Sequence, residues 1–541
     1  MTSAVLLTGC EKTHSDGADC SFDYAMIGHP ESLDPQLAND PCSFSVIGNV
    51  YTGLFTMTED GKLKNGAAEK YSVSDDGLTY NFTIRKNCFW FFDENHNDEV
   101  EKKECTNVTA KDFEFAFRRI FDPNTHSPHK EAYSNIKNAD AIINGDEDYE
   151  AIGVSALSDT ELVIELEKPD PEFLNSLAQT PAMPCNEKFF YDTKGRYGLD
   201  DKSVMSNGAF FIRQWFYDPY GHDNLIYMQR NLANTDYDKI YPTALNIYMK
   251  DSYEDARKSF DDGESDVILS FLCDNKEREE YSVKKFENYT VGIITNPSNP
   301  EYGNVNIRKA LAYGIDKDSF DGVLSEDLAA SYGIVPPGVT FDGKRYRDIV
   351  KDKDIYKDEN GEAVKYDPEL AAEYYHQGME ELELQSLSNI KLLVREDLMD
   401  SEYLHLVTQN WQTLFGFYIG IDEVPAEEFS ERIKSGDYTL ALYPLSGDRN
   451  SPLAFEKRFS SKLNDFGYIN SDIDDALESM SEDGMNADSL GEVETEILKT
   501  FYFIPVFYKS EYEIMSKGNH DIMYDPFTKQ LFFRYAKYYE E

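Results

Sequence analysis

The stretch Val108–Thr125, VTAKDFEFAFRRIFDPNT, carries the clearest local instruction in the chain. Thr109 can cap a helix, and Asp112, three residues on, can reach back to it as the acid of a capping box. Phe113, Ala116, Phe117 and Ile120 then recur at helical spacing, which predicts an amphipathic helix with one buried face. Further along, Leu162-Val163-Ile164-Glu165-Leu166 is a short β-branched run that ends at Pro169, as a strand does. Asp367-Pro368 opens another helix, with the acid at the cap and proline at the first helical position. That helix runs through Leu370, Ala371, Tyr374 and Tyr375. Strand and helix signals alternate along the chain, with no long linker and no internal repeat. The pattern predicts a mixed α/β fold.

Composition narrows the function classes. The chain has 541 residues, 52 Lys and Arg against 101 Asp and Glu, and a formal net charge of −49. Its length allows roughly two to four domains of about 150 residues each. Aromatic residues make up 14% of the chain, far more than an acidic disordered tail would hold, so a real core is expected. A net charge of −49 excludes nucleic acid as a partner, because binding phosphates needs clustered cations. It also disfavours direct contact with an anionic membrane surface. No run after residue 10 approaches the roughly 18 apolar residues that a spanning helix needs.

The N-terminus reads MTSAVLLTGC. Ala4–Leu7 resembles the tail of a signal-peptide core, although the basic region before it is missing. Leu7-Thr8-Gly9-Cys10 resembles the lipobox of bacterial lipoproteins, in which the cysteine carries the lipid. A polar tether, Glu11 to Asp19, follows. Six further cysteines suit an exported, oxidising setting. Cys88 and Cys105 are the best candidate pair, since they bracket one polar loop between segments expected to be neighbours.

The search for chemistry is mostly negative. There is no phosphate-cradling loop, no dinucleotide fingerprint, no zinc-protease helix and no nucleophile elbow. With 101 carboxylates, acid pairs arise by chance and say little about glycosidase chemistry. The one metal-like segment is DENHNDEVEKKE, residues 93–104. It sets Asp93, Asn95, Asn97, Glu99 and Glu104 at positions 1, 3, 5, 7 and 12 of a loop resembling an EF-hand calcium site. Asp98 stands where glycine makes the sharp turn, so the match is damaged. Calcium is therefore the only cofactor the residues suggest, and a solvated hairpin loop is the alternative.

From residue 32 onward, the order of motifs resembles the extracellular solute-binding proteins of ABC importers, in the oligopeptide/dipeptide-binding family. Ser32-Leu33-Asp34-Pro35, Tyr51-Thr52-Gly53-Leu54-Phe55, Asp76 to Arg85 and Trp90 are similar to its N-terminal signatures. Val108 to Phe113 and Asp122-Pro123-Asn124-Thr125 resemble its VTAxDF and DPxT, and Asn207-Gly208-Ala209-Phe210 its NGAY. Asn304 to Ile315, followed by Asp316-Lys317, resembles its D-x-x-V-R helix. Pro336-Pro337-Gly338, Tyr366-Asp367-Pro368 and Ile504-Pro505-Val506 fall at the matching places. About ten such motifs in order, over most of the chain, are specific where any one would be weak.

The resemblance implies two α/β lobes around a ligand cleft, with an extra domain inserted in the first lobe. Lobe I would comprise residues 21–60, 185–290 and 495–541. The insertion would be 61–184 and lobe II 291–494, with residues 1–20 as signal remnant, lipobox and tether. It further implies a non-enzymatic monomer on the outer face of the cytoplasmic membrane or the cell surface, held only by its lipid. The partners would be a peptide and the membrane permease subunits. Asp448, in Asp448 to Phe455, matches the aspartate that receives the peptide α-ammonium in this family. Leu445 replaces a family tryptophan, and Leu442 replaces an arginine that takes the ligand carboxylate in some members. The two departures leave the carboxylate end of the resembled site without its family residues. The same scaffold could instead bind an oligosaccharide, nickel chelate or opine-like solute, with Trp411 and the tyrosines stacking on sugars. Asp448 could also be a turn acid beside Arg449.

Overall fold

In the computed structural model, the predicted helix forms over Ala110–Phe121. Residues 20–539 are described, apart from 59–61, 96, 98, 222, 223, 400 and 484. The Asp112 carboxylate accepts the Thr109 backbone N–H at 2.6 Å, closing the helix start as a capping box does. Phe113, Ala116, Phe117 and Ile120 are buried. The predicted strand spans Glu161–Glu165. The second helix spans Pro368–Glu381, with the Asp367 side chain accepting from the Leu370 N–H at 2.9 Å.

An eleven-stranded sheet runs through the molecule. One side is built from Phe210–Phe216, Leu225–Arg230, Ala244–Lys250, Ser21–Ile27 and Val267–Ser270, and the other from Leu440–Leu445, Ile390–Arg395 and Ile419–Val424. Between them lie two long antiparallel strands, Ser282–Thr295 and Phe503–Met515, and the short strand Leu328–Ala330 pairs with the second of these as the eleventh. Ser21–Ile27 pairs parallel with Ala244–Lys250, as Ile390–Arg395 does with both of its neighbours. Parallel pairing requires crossover connections, which explains the alternation of helix and strand in the chain.

The buried apolar side chains form two large clusters. One contains Phe22, Tyr51, Phe113, Ile247, Met515 and Phe533. The other contains Val291, Trp411, Leu442, Ile497, Phe503 and Phe507. The two long strands therefore start in one core and end in the other, and they are the path by which the chain passes between lobes. Their register slips between Phe286 and Tyr289 and again between Val291 and Gly292. Bulges of this kind bend a strand and re-aim its side chains.

A four-stranded antiparallel sheet, in the order Ala68–Val73, Thr79–Ile84, Glu161–Glu165 and Val154–Ala156, occupies the inserted region. Its buried residues Tyr80, Phe82, Leu162 and Ile164 join the core of the first lobe. At the other boundary, Ile497, Leu498, Phe501 and Phe503 to Phe507 lie in or against the second core. The first half of the long returning strand therefore packs with the second core.

The expected Cys88–Cys105 bridge is absent, and both residues carry thiols. Phe89–Phe91 pairs with Cys105–Asn107 in a register that sets Cys105 opposite Phe91. Cys88 instead sits beside Val108, whose N–H donates to its carbonyl at 2.9 Å. Three strand steps of about 3.4 Å separate Cys88 from the position facing Cys105, which is beyond disulfide reach.

Candidate functional site

A cavity of about 710 Å³ lies between the two lobes. The first lobe contributes residues around Asn49, Tyr51, Thr52 and Lys64, the inserted region Asn175 and Gln179, and the C-terminal segment residues from Asp521 to Lys537. Lys285, Phe286, Glu287 and Asn288 line it from the interrupted part of the crossing strand, and Thr340, Arg345 and Asp448 to Asn450 from the second lobe. The register slip after Phe286 is what removes Glu287 and Asn288 from ladder pairing and leaves them facing the cavity. Asn288 is buried and its Nδ2 donates to Glu511 and to the Pro526 carbonyl. Its Oδ1 is buried without a partner among the described residues, an acceptor that a bound N–H would satisfy.

Asp448 sits on the turn between the strand Leu440–Leu445 and the helix Pro452–Glu456. Proline at the first position of that helix suits the exit from the turn. Gly447 keeps the turn tight: a Cβ there would lie 2.7 Å from the Phe455 ring. The turn is pinned on both sides. Gln179 donates to the Asp448 carbonyl at 3.1 Å, and Asn450 Oδ1 accepts the Thr340 N–H at 2.8 Å. The Asp448 side chain is 56% exposed and pairs with Arg449 at 3.1 Å. Arg449 lies 3.8 Å from Glu172, which is nearly buried. Burial works against the Arg449 charge, but Asp448, Glu172 and Asp170 outweigh it and hold its pKa above the ordinary value. For Glu172, burial dominates and raises the pKa despite Arg449. Asp448 is thus both the turn acid and an accessible carboxylate in the cavity.

Both departures from the resembled pattern lie outside the cavity lining. Leu442 and Leu445 are fully buried in the second core, opposite Ile293 and Thr290 of the crossing strand. Trp411 is also in that core, its Nε1 donating to the Leu311 carbonyl at 2.9 Å, so it is not available to stack on a sugar.

The segment expected to bind calcium is otherwise engaged. Asp93 is ion-paired with Arg213 at 2.8 Å and accepts the Asn97 N–H. Asn95 turns its amide group toward Glu101 and Glu104, at 2.7 and 2.8 Å, offering protons where a cation needs oxygen lone pairs. The Asn97 side chain accepts the Glu99 N–H. Among the described residues, no group of three His, Cys, Asp or Glu side chains could hold a metal ion. Asp98 and Cys10 lie outside the described residues.

The C-terminal wall was missed from the sequence. Lys64, Lys285, Arg345, Arg449, Arg534 and Lys537 line the cavity against four carboxylates, Glu287, Asp448, Asp521 and Asp525. This reverses the bias of a chain at −49. The available signal was the basic and aromatic run from Phe532 to Tyr539, FFRYAKYY, in an otherwise acidic sequence.

A two-lobed α/β scaffold with a cavity at the lobe junction is an architecture suited to binding a solute between lobes. Residues 62–467 match the bacterial extracellular solute-binding proteins, family 5, middle region, and the chain belongs to this family. It is 28% identical over 524 residues to the oligopeptide-binding protein OppA of Bacillus subtilis, covering 94% of this chain and 90% of that one. It is 25% identical to a dipeptide-binding protein of Lactococcus lactis, covering 88% of this chain and 85% of that one. The fold is similar to that of the pheromone receptor PrgZ, with TM-score 0.77 and 24% identity, covering 96% of this chain and all of that one. It is also similar to Listeria monocytogenes OppA bound to peptide, with TM-score 0.76 and 22% identity, covering 97% of this chain and all of that one.

Proposed function

We propose that this protein is an extracytoplasmic receptor that captures oligopeptides between its lobes and delivers them to an ABC-type importer. The observation that carries this reading is the accessible carboxylate of Asp448, on a pinned turn inside a cavity of about 710 Å³. A free α-ammonium enclosed there loses its hydration and needs one carboxylate within hydrogen-bond distance. The interrupted ladder at Glu287 and Asn288 supplies polar groups to a ligand held by main-chain hydrogen bonds. Curated relatives named for oligopeptide and dipeptide binding support the same reading. The resemblance of Leu7-Thr8-Gly9-Cys10 to a lipobox favours attachment to the outer face of the membrane through a lipid on Cys10. No described helix is long and apolar enough to cross a membrane.

The test is calorimetric titration with short peptides whose amino end is free or acetylated. Asp448→Ala should weaken a free-amine peptide by about 10- to 100-fold, the usual worth of one charged hydrogen bond. The acetylated peptide should bind the wild type poorly and lose little more on mutation. Unchanged affinity of the free-amine peptide for the variant would remove Asp448 from the site.

A further inference from the structure

Of the six cations lining the cavity, most already face a carboxylate. Lys537 pairs with Asp521 at 3.1 Å, Arg345 with Glu287 at 3.1 Å, and Arg449 with Asp448. Lys285 lies 3.9 Å from Glu287. Lys64 and Arg534 are different: neither forms an ion pair among the described residues. In a chain with nearly twice as many acids as bases, two cations without an ion pair among the described residues, on one wall of the cavity, mark a place for a ligand group.

The two converge on one side chain. Lys64 Nζ donates to the Tyr535 hydroxyl at 2.7 Å and lies 5.1 Å from the centre of its ring. The Arg534 guanidinium stands 5.1 Å from the same ring. Because the Tyr535 oxygen accepts from Lys64, its own proton is left to donate. The Arg534 Nε is buried and meets no partner among the described residues. Asp236, near Arg534, is engaged by Lys239 at 3.0 Å and Arg85 at 3.7 Å.

The backbone beneath is fixed. Asn49 donates to the Leu531 carbonyl at 2.7 Å and accepts the Phe533 N–H at 3.1 Å. The Tyr241 N–H donates to the Arg534 carbonyl at 3.0 Å. Lys64 is held by the pairing of Leu63–Asn65 with Phe55–Met57. The donors are therefore held on ordered elements before any ligand arrives, which lowers the cost of using them.

We propose that Lys64, Arg534 and the Tyr535 hydroxyl form a subsite for a carboxylate of the ligand, which makes anionic peptides the preferred class. This rests on the peptide reading above. The carboxylate could come from an Asp or Glu side chain or from the ligand's own C-terminus, and the two are separated by synthesis. Three peptides of one length and free amino end are titrated: a neutral C-terminal amide, the same sequence with a free C-terminus, and an amide carrying one Glu. At least one carboxylate-bearing peptide should bind about 10- to 100-fold tighter than the neutral amide. That advantage, taken as the ratio to the neutral amide bound by the same variant, should shrink by about the same factor in Lys64→Met and in Arg534→Gln. The peptide that shows the effect identifies the source. Lys64 is exposed, so Lys64→Met keeps the test intact if Arg534→Gln proves unstable. Equal binding of all three peptides, or an advantage untouched by Lys64→Met, overturns the subsite and leaves the peptide reading standing. If none of the three binds the wild type, the peptide reading falls and the subsite with it.

Discussion

Asp34 shows how a residue can be prominent in sequence and silent about its role. Both of its carboxylate oxygens meet the guanidinium of Arg119, which also donates to Gln36 and stacks on Phe190 with 4.2 Å to the ring centre. Asp34 and Arg119 are almost fully buried. The pair fastens the helix Ala110–Phe121 to the first lobe. Removing one partner strands the other charge, so Asp34→Ala should cost about 3–5 kcal/mol in urea unfolding; a loss under 1 kcal/mol would mean that Arg119 finds water. Lys317 offers a pH-dependent case. It donates to the Ser331 carbonyl at 2.7 Å between the rings of Tyr332 and Tyr356. Burial pushes its pKa down to about 7, with Asp352 opposing. An unfolded lysine titrates near 10.4. Between these values the unfolded chain holds a proton that the folded chain lacks, so stability rises with pH across that window. From pH 7 to 9.5, wild type should gain up to about 3 kcal/mol relative to Lys317→Met. A parallel pair of pH profiles would mean that the ammonium stays charged in its aromatic box.

At the scale of elements, the motif Asn207-Gly208-Ala209-Phe210 acts as a clamp. Asn207 exchanges two hydrogen bonds with the backbone of Thr52, at 2.9 and 2.8 Å, and Gly208 donates to the Val50 carbonyl at the end of the helix Pro41–Val50. Thr52 lines the cavity, so the clamp positions part of the site. A Cβ on Gly208 would lie 2.4 Å from the Val50 carbonyl carbon. Backbone there has no room to yield, and Gly208→Ala should destabilise by about 1–3 kcal/mol or more. It should also weaken peptide binding, read by titration of the folded variant; full retention of both would show that the helix end can shift. Elements with one buried face were legible in sequence, because the helix Ala110–Phe121 and the strand Glu161–Glu165 announce themselves through local periodicity and caps. The crossing strands were not. From Asn288 to Thr295 every residue is buried, so the alternation that marks a half-exposed strand is missing. Cys88 and Cys105 failed for a related reason: neighbouring strands were foreseen, but register depends on pairing that no short window contains. Among the cavity-lining residues, Asp448 stands in a recognisable motif, whereas Lys64 and Arg534 lie 470 positions apart in sequence and are joined only by the fold.

For the whole molecule, the balance between net charge and ion pairs decides how salt acts. Among the described residues, most of the pairs have at least one exposed partner, and in Lys168 with Glu478, between the inserted region and the second lobe, both are exposed, with side chains 39% and 65% accessible. Exposed pairs contribute little, and salt weakens them. The net charge of −49 works in the opposite direction, because compaction brings unpaired carboxylates together. Raising the ionic strength from 10 to 100 mM shortens the screening length from about 30 to about 10 Å, within the span of one lobe. The repulsion should lose more than the pairs do, so the melting temperature should rise along a sodium chloride series. A falling melting temperature would show that the ion pairs dominate. The same field sets the control for the loop at Asp93 to Glu104. Divalent cations should stabilise an acidic surface more than sodium does, but without distinguishing calcium from magnesium at equal concentration. Asp93→Ala should destabilise the protein with or without calcium, since it removes a nearly buried ion pair and the acceptor of the Asn97 N–H. A rise specific to calcium and lost in Asn95→Ala would instead mean that the loop rearranges to free its oxygens when the ion is present.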